Sequence, residues 1–162
     1  MRQVTILDFP LKVGVRARQH RESLLREFAI IALGGGDKAD VPKRLLEIAN
    51  LHDERYSGLN PEADDAVDGA IRRGEEFIDF VVNVPQQIKQ DTVDLAPVLI
   101  EVDAYCRSGD LLTLSPPDDI RAFWIWFLSE FVRQLSDESP RSWRDFSLPA
   151  SPTPGAPDAT AR

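Results

Sequence analysis

Cysteine is almost absent from this sequence, which contains only Cys106 among its 162 residues. A single cysteine cannot close an internal disulfide, whereas small secreted scaffolds use cysteines in pairs to support a thin core. A chain of this length buries roughly 70% of its unfolded surface without such links. The composition therefore predicts an ordinary globular domain that folds without disulfides or a structural metal.

Long apolar runs are also missing. No stretch approaches the roughly 18 apolar residues that a transmembrane helix needs. The first residues, MRQVTILD, lack the apolar segment and the cleavage site of a signal peptide. We therefore expect a cytoplasmic protein that does not contact a membrane.

Basic residues are scarce in the middle of the chain. Residues 1–60 hold ten Lys/Arg and eight Asp/Glu, residues 61–137 hold six and sixteen, and residues 138–162 hold three of each, which sums to the net charge of −8. Nucleic-acid binding depends on clustered Lys and Arg that release counterions from phosphates, so we expect no nucleic-acid partner. An acidic field of this kind attracts a basic protein partner, although it equally serves to keep a domain soluble.

Apolar residues recur at steps of three and four in five segments, which predicts four major helices and one minor, acidic helix. In chain order these helices cover about residues 13–33, 40–59, 62–76, 86–107 and 118–136. The minor helix is the one at 62–76. Pro97 lies inside the fourth segment, where the loss of one backbone hydrogen bond predicts a kink near Val93.

Branched and aromatic residues predict short strands at residues 4–9 and 77–84, with a third extended stretch at 111–114. A ribbon of two strands is marginal in water unless helices cover one face. The predicted fold is therefore α+β and helix-dominated, with the five helices around a two- or three-stranded sheet. A purely helical bundle is the alternative.

The end of the chain differs in composition from the rest. Residues 138–162 contain five of the twelve prolines and few apolar side chains, which predicts a single globular domain over residues 1–137 and a largely disordered tail beyond it. Within this tail, residues 143–148 form an apolar cluster that includes Trp143 and Phe146. Such a segment either docks on a partner or folds back onto its own domain.

Candidate chemistry is sparse. The triple glycine at 34–36 lacks the spacing and the preceding strand of a phosphate-binding loop, and its ordinary role is to end a helix. His20, His52 and Cys106 lie on apolar helix faces without the close spacing of metal ligands. We therefore predict no metal, cofactor or catalytic residue. These three residues are the pocket candidates under the alternative function given below.

Trp126 points outward in the predicted last helix, on the side opposite its apolar stripe. Ser129 and Arg133 share that side, and a surface Trp beside an Arg is typical of an interaction hot spot. If another element covers this side, Trp126 belongs to the core instead. We predict a partner-binding surface at Trp126, Ser129 and Arg133, with Trp143 and Phe146 as further contacts.

Several runs between residues 4 and 135 resemble, as a set, a group of actinobacterial proteins of unknown function that are associated with genes for anti-sigma-factor kinases and their antagonists. The runs are LDFP at 7–10, QHRESLLREFA at 19–29, RGEE at 73–76, VP at 84–85, CRSGDLLTL at 106–114 and WFLSEF at 126–131. The resemblance implies a helix-rich cytoplasmic accessory protein of partner-switching stress regulation. It implies no catalytic residue, and Pro97 departs from the pattern.

The sequence thus favours a non-enzymatic regulatory or adaptor protein that binds another protein. The alternative is a small-molecule-binding protein or an enzyme whose pocket lies between the kinked helix and the sheet. A homodimer that pairs its own exposed aromatic residues is a further option. The identity of the partner is left open.

Overall fold

The structure is a computed structural model that describes residues 1–35, 40–56, 58–108 and 115–146. Its elements follow the chain in the order β1 (Arg2–Pro10), α1 (Leu11–Gly34), α2 (Asp40–Tyr56), α3 (Pro61–Arg72), β2 (Phe77–Val84), α4 (Ile88–Arg107) and α5 (Asp118–Gln134). Helices beside a two-stranded antiparallel sheet make this a helix-dominated α+β fold, so the predicted class is confirmed and the purely helical bundle is not the fold.

The sheet joins the start of the chain to its middle. β1 pairs antiparallel with β2, so that Val4 lies opposite Val82 and Ile6 lies opposite Phe80. The pairing shifts between Ile6 and Phe9, where β1 has one residue more than β2, as in a β-bulge. Both predicted strands are confirmed, whereas the third, at 111–114, lies outside the described residues.

One hydrophobic core lies between the sheet, α1 and α5. At its border the partly buried ring of Phe9 packs edge-on against Phe80, Phe123 and Phe127, with centroids 5.3, 5.4 and 6.1 Å away. A Cβ atom at Gly14 would lie 2.6 Å from the Phe9 ring, so this glycine allows α1 to pass close to the ring. The apolar stripe predicted for the last helix supplies much of this core.

A second core lies between the carboxyl-terminal half of α1, α2 and α4. Its buried members are Leu24, Phe28, Leu45, Val98, Val102 and Cys106. α4 extends from Ile88 to Arg107 across Pro97, which is on its exposed side. The kink near Val93 stays a prediction.

The minor helix is shorter than predicted. α3 ends at Arg72 rather than near residue 76, because Gly74 has a φ of 72° and the amides of Gly74 and Glu75 bond back to the carbonyls of Ile71 and Ala70. This pattern of hydrogen bonds is a Schellman motif, which satisfies the last carbonyls of a helix.

The packed part of the chain extends beyond residue 137. Residues 138–146, which we name the C-terminal strap, lie along α5 and the outer edge of β1. Their contacts include the ring packing of Trp143 and Phe146 on the first core and a hydrogen bond from the Trp143 amide to the Leu7 carbonyl. Residues 138–146, which the composition groups with the tail, thus pack on the domain. The rest of the predicted tail, residues 147–162, lies outside the described residues.

Candidate functional site

Trp126 is not on the surface. It is 0% exposed, and its ring packs against those of Phe123 and Trp143. Its indole N–H donates a hydrogen bond of 3.0 Å to the Arg141 carbonyl of the C-terminal strap. The predicted surface hot spot at Trp126 is therefore wrong, because the strap covers this side of α5.

Ser129 and Arg133 serve contacts within the chain. The hydroxyl of Ser129 donates to the Trp126 carbonyl and accepts a hydrogen bond from Arg141. The guanidinium of Arg133 lies between the carboxylates of Glu130 and Glu138, and the hydrogen bond with Glu138 is the main cause that raises the pKa of Arg133. Both residues therefore anchor the strap, and their contact with a partner stays a prediction.

Trp143 and Phe146 are half-buried in the same packing. Their rings stack at a centroid distance of 6.1 Å, and the guanidinium of Arg141 lies 4.8 Å from the centroid of the Phe146 ring. The sequence left two options for residues 143–148, docking on a partner or folding back onto the domain. Residues 143–146 fold back onto the domain. These two aromatic residues consequently close the domain rather than present a free docking motif.

The strap is held by a buried carboxylate that the sequence did not single out. The side chain of Glu130 is 1% exposed, and it accepts hydrogen bonds from Arg133, from the side chain of Gln134 and from the backbone N–H of Arg141. Gln134 also bonds to both backbone groups of Thr5, at 2.8 and 2.7 Å. A short polar network thus closes the outer edge of β1 in place of a third strand.

Two of the pocket candidates, His20 and Cys106, lie in different surroundings. His20 on α1 lies beside Trp124, with ring centroids 5.7 Å apart, and burial lowers its pKa. Cys106 lies in the second core, where burial and then the negative charges of Asp103 and Glu27 raise the pKa of its thiol. The side chain of His52 lies outside the described part of the structure.

Among the hollows that the described residues form are two that neither His20 nor Cys106 lines. One, of about 230 Å³, lies where β1 meets α1. The other is a groove of about 140 Å³ between α2 and α4, lined by Ile48, Leu51 and Leu95, by Leu128 of α5, and by the polar residues Arg55, Asp91, Thr92 and Asp94. Neither hollow lies between α4 and the sheet, where the alternative function placed its pocket.

The outer side of α4 carries an apolar surface without a covering element among the described residues. Spacings of three and four bring five exposed residues onto this side, which we name the α4 face: Val93, Ala96, Pro97, Ile100 and Ala104. Ile100 is 72% exposed and Val93 46% exposed. From Val93 to Ala104 the face is about 17 Å long, or three helical turns.

Ile125 of α5 extends this face sideways. α4 and α5 are antiparallel, since Asp103 pairs with Arg121 at one end while Leu95 and Leu128 line the same groove at the other. This register places Ile125, which is 44% exposed, level with the turn of α4 that carries Ile100. Ile125 and Ile100 are therefore exposed apolar residues at the same level of the helix pair.

Comparison of the chain with models of protein families, with curated proteins and with solved structures finds no match. Within the described ranges, no group of three or more His, Cys, Asp or Glu side chains is placed to hold a metal ion. None of the described helices combines the length and the hydropathy required to cross a lipid bilayer.

Proposed function

We propose that this chain is a non-enzymatic regulatory or adaptor protein that binds another protein through the α4 face. The observation that supports the proposal is the exposure of five apolar residues on three successive turns of one helix, with Ile100 at 72%. Single exposed apolar residues are ordinary, whereas a contiguous group is typical of an interaction site. Full burial of one Ile side chain contributes about 1.5–3 kcal/mol.

The resemblance found in the sequence suggests the setting. On that basis we further propose that the partner belongs to a stress-response partner-switching system and that the complex forms in the cytoplasm. A protein in such a system acts by occupying the surface of another protein. A binding face without catalytic residues is sufficient for this role.

The test is affinity capture from the native cytosol with the full chain and two variants. Ile100→Glu places a charge on the α4 face, while Ile30→Glu makes the same change at a residue of α1 that is 70% exposed and outside the face. We expect Ile100→Glu to lower recovery of a specific protein at least about tenfold, which corresponds to the loss of one buried Ile. Ile30→Glu should recover it as the unmodified chain does. Equal recovery of every protein by the two variants would contradict the proposal.

A further inference from the structure

The C-terminal strap runs back along α5. Its contacts with the helix step from the end of α5 towards its start: Ser139 accepts a hydrogen bond from Arg133, Arg141 donates one to Glu130, and the ring of Trp143 packs against that of Trp126. Residue numbers therefore rise along the strap while they fall along α5, so the two segments are antiparallel. A reversal of the chain at residues 135–138 joins them.

Asp137 gives this reversal its shape. Its φ of 65° lies in the left-handed region, which glycine adopts freely and which costs free energy for other residues, although Asp is among the more tolerant. The amides of Ser136 and Glu138 both bond back to the Arg133 carbonyl, so the turn is tight. Opening the turn removes the cost at Asp137, and the strap then points away from its own α5. A short turn of this kind favours the exchange of the following segment between copies.

The surface that receives the strap holds it by noncovalent contacts. We name this surface the strap groove; it is formed by Leu7, Trp126 and Glu130. The carbonyl of Leu7 accepts a hydrogen bond of 3.1 Å from the N–H of Trp143. The indole N–H of Trp126 donates to the Arg141 carbonyl at 3.0 Å, and Glu130 accepts the N–H of the same residue at 2.9 Å. None of these bonds depends on which chain carries the strap, so the strap of a second copy fits the same groove.

We propose that two copies of this chain exchange their straps, so that the strap of each copy lies in the strap groove of the other. The contacts between strap and groove are the same in the monomer and in the exchanged dimer, and only the two turns at Asp137 change. Since the strap continues away from α5 when its turn is open, the two copies meet at the ends of their α5 helices. The exchange involves no residue of the α4 face, so it stands or fails independently of the proposed function.

The strap of the same chain competes with the strap of a second copy. A short linker holds a segment near its site at an effective concentration of about millimolar. We therefore expect a monomer at micromolar concentration and an exchanged dimer at about 1 mM. The net charge of −8 on each chain opposes association, so added salt should raise the dimer fraction.

Substitutions at Asp137, whose side chain is 82% exposed, test the role of the turn. Asp137→Val introduces a branched residue that the left-handed region strongly disfavours, so it should favour the open turn, whereas Asp137→Gly removes the cost and should favour the monomer. Two turns open in each dimer. We therefore expect the dissociation constant of the dimer to be at least about tenfold lower for Asp137→Val than for Asp137→Gly. Light scattering from full chains refolded at concentrations up to about 1 mM measures this ratio.

Asp137→Asn is the matched control for the loss of charge. Asn tolerates the left-handed region as Asp does, but it removes the ion pair of Asp137 with Arg2. Because that pair is exposed, we expect the dissociation constant to stay within about threefold of that of the unmodified chain.

Cross-linking between isotope-labelled and unlabelled chains shows which copy supplies the strap. Arg144 of the strap is 60% exposed and lies over the ring of Phe77 in β2, 4.3 Å from its centroid, so a photoreactive phenylalanine analogue can replace it. A labelled full chain with this analogue is refolded at about 1 mM with an equal amount of unlabelled, unmodified chain. In the dimer fraction, we expect about half of the cross-links to β2 to join a labelled strap to an unlabelled β2. At micromolar concentration, the cross-links should stay within labelled chains.

Three results would overturn strap exchange. The first is the absence of a dimer of the Asp137→Val chain at about 1 mM. The second is a dimer whose dissociation constant is equal for Asp137→Val and Asp137→Gly. The third is a dimer in which all cross-links to β2 stay within labelled chains, because such a dimer forms by contact between closed copies.

Discussion

Glu130→Gln is the substitution that most directly tests how the C-terminal strap is held. Gln preserves the shape of the side chain but places an NH2 group where one carboxylate oxygen accepts hydrogen bonds. In one orientation this group faces the guanidinium of Arg133, and in the other it faces the N–H groups of Gln134 and Arg141. Either orientation loses at least one charge-assisted hydrogen bond, which contributes roughly 1.5–3 kcal/mol.

The partial exposure of Arg133 to solvent determines how much stability Glu130→Gln loses. Because the side chain of Arg133 is 27% exposed, water replaces part of the lost bond, and we expect the free energy of unfolding to fall by about 2 kcal/mol. Urea unfolding followed by tryptophan fluorescence measures this change, since Trp126 and Trp143 are in ring contact. In the same variant the amide proton of Trp143 should exchange faster, because the strap loses its anchor.

Glu138→Gln is the matched control. Glu138 accepts a hydrogen bond of 2.8 Å from the same Arg133 but is itself 53% exposed. An exposed ion pair contributes about 0–1 kcal/mol, so this variant should lose far less stability than Glu130→Gln. Equal stability of the two variants would refute the view that the buried carboxylate holds the strap.

Three further predictions concern the strap, Cys106 and His20. Removal of residues 147–162 should change the free energy of unfolding by less than about 0.5 kcal/mol, whereas removal of residues 138–162 should cost about 3 kcal/mol or more, as urea unfolding of both chains would show. Cys106 should react with a disulfide reagent at least about tenfold more slowly in the folded chain than in urea, because burial raises the pKa of its thiol. The pKa of His20 is lowered by burial, so its contribution to stability is present above the unfolded value of about 6.5 and is lost as the pH falls from there towards the folded pKa. His20→Phe should remove this part of the pH dependence in unfolding measured at several pH values.

The elements of the fold were largely predictable because local patterns determine them. In α5, apolar residues recur every three or four positions, and in β2 branched residues predominate. Each of these signals depends on only a few neighbouring residues. The end of α3 was missed because it depends on the backbone of Gly74, which adopts a φ of 72° and closes the helix four residues before the predicted end.

The site was not predictable in the same way, because burial depends on contacts between distant residues. Trp126 lies opposite the predicted stripe of its own helix, and the strap, which belongs to a proline-rich segment whose composition predicts disorder, covers it. Ile100 and Val93 lie on the side of α4 away from its buried residues Val98 and Val102, and only the arrangement of the described helices shows that none of them covers this side.

Site-specific photo-cross-linking in the native cell tests the central claim most directly. A photoreactive phenylalanine analogue replaces Ile100 on the α4 face in one chain and Ile30 on α1 in another, two positions with nearly equal exposure of 72% and 70%. We predict a discrete cross-linked product of one additional protein from position 100 and none from position 30. The same products from both positions, or no product from position 100, would contradict the assignment of the α4 face as a binding surface.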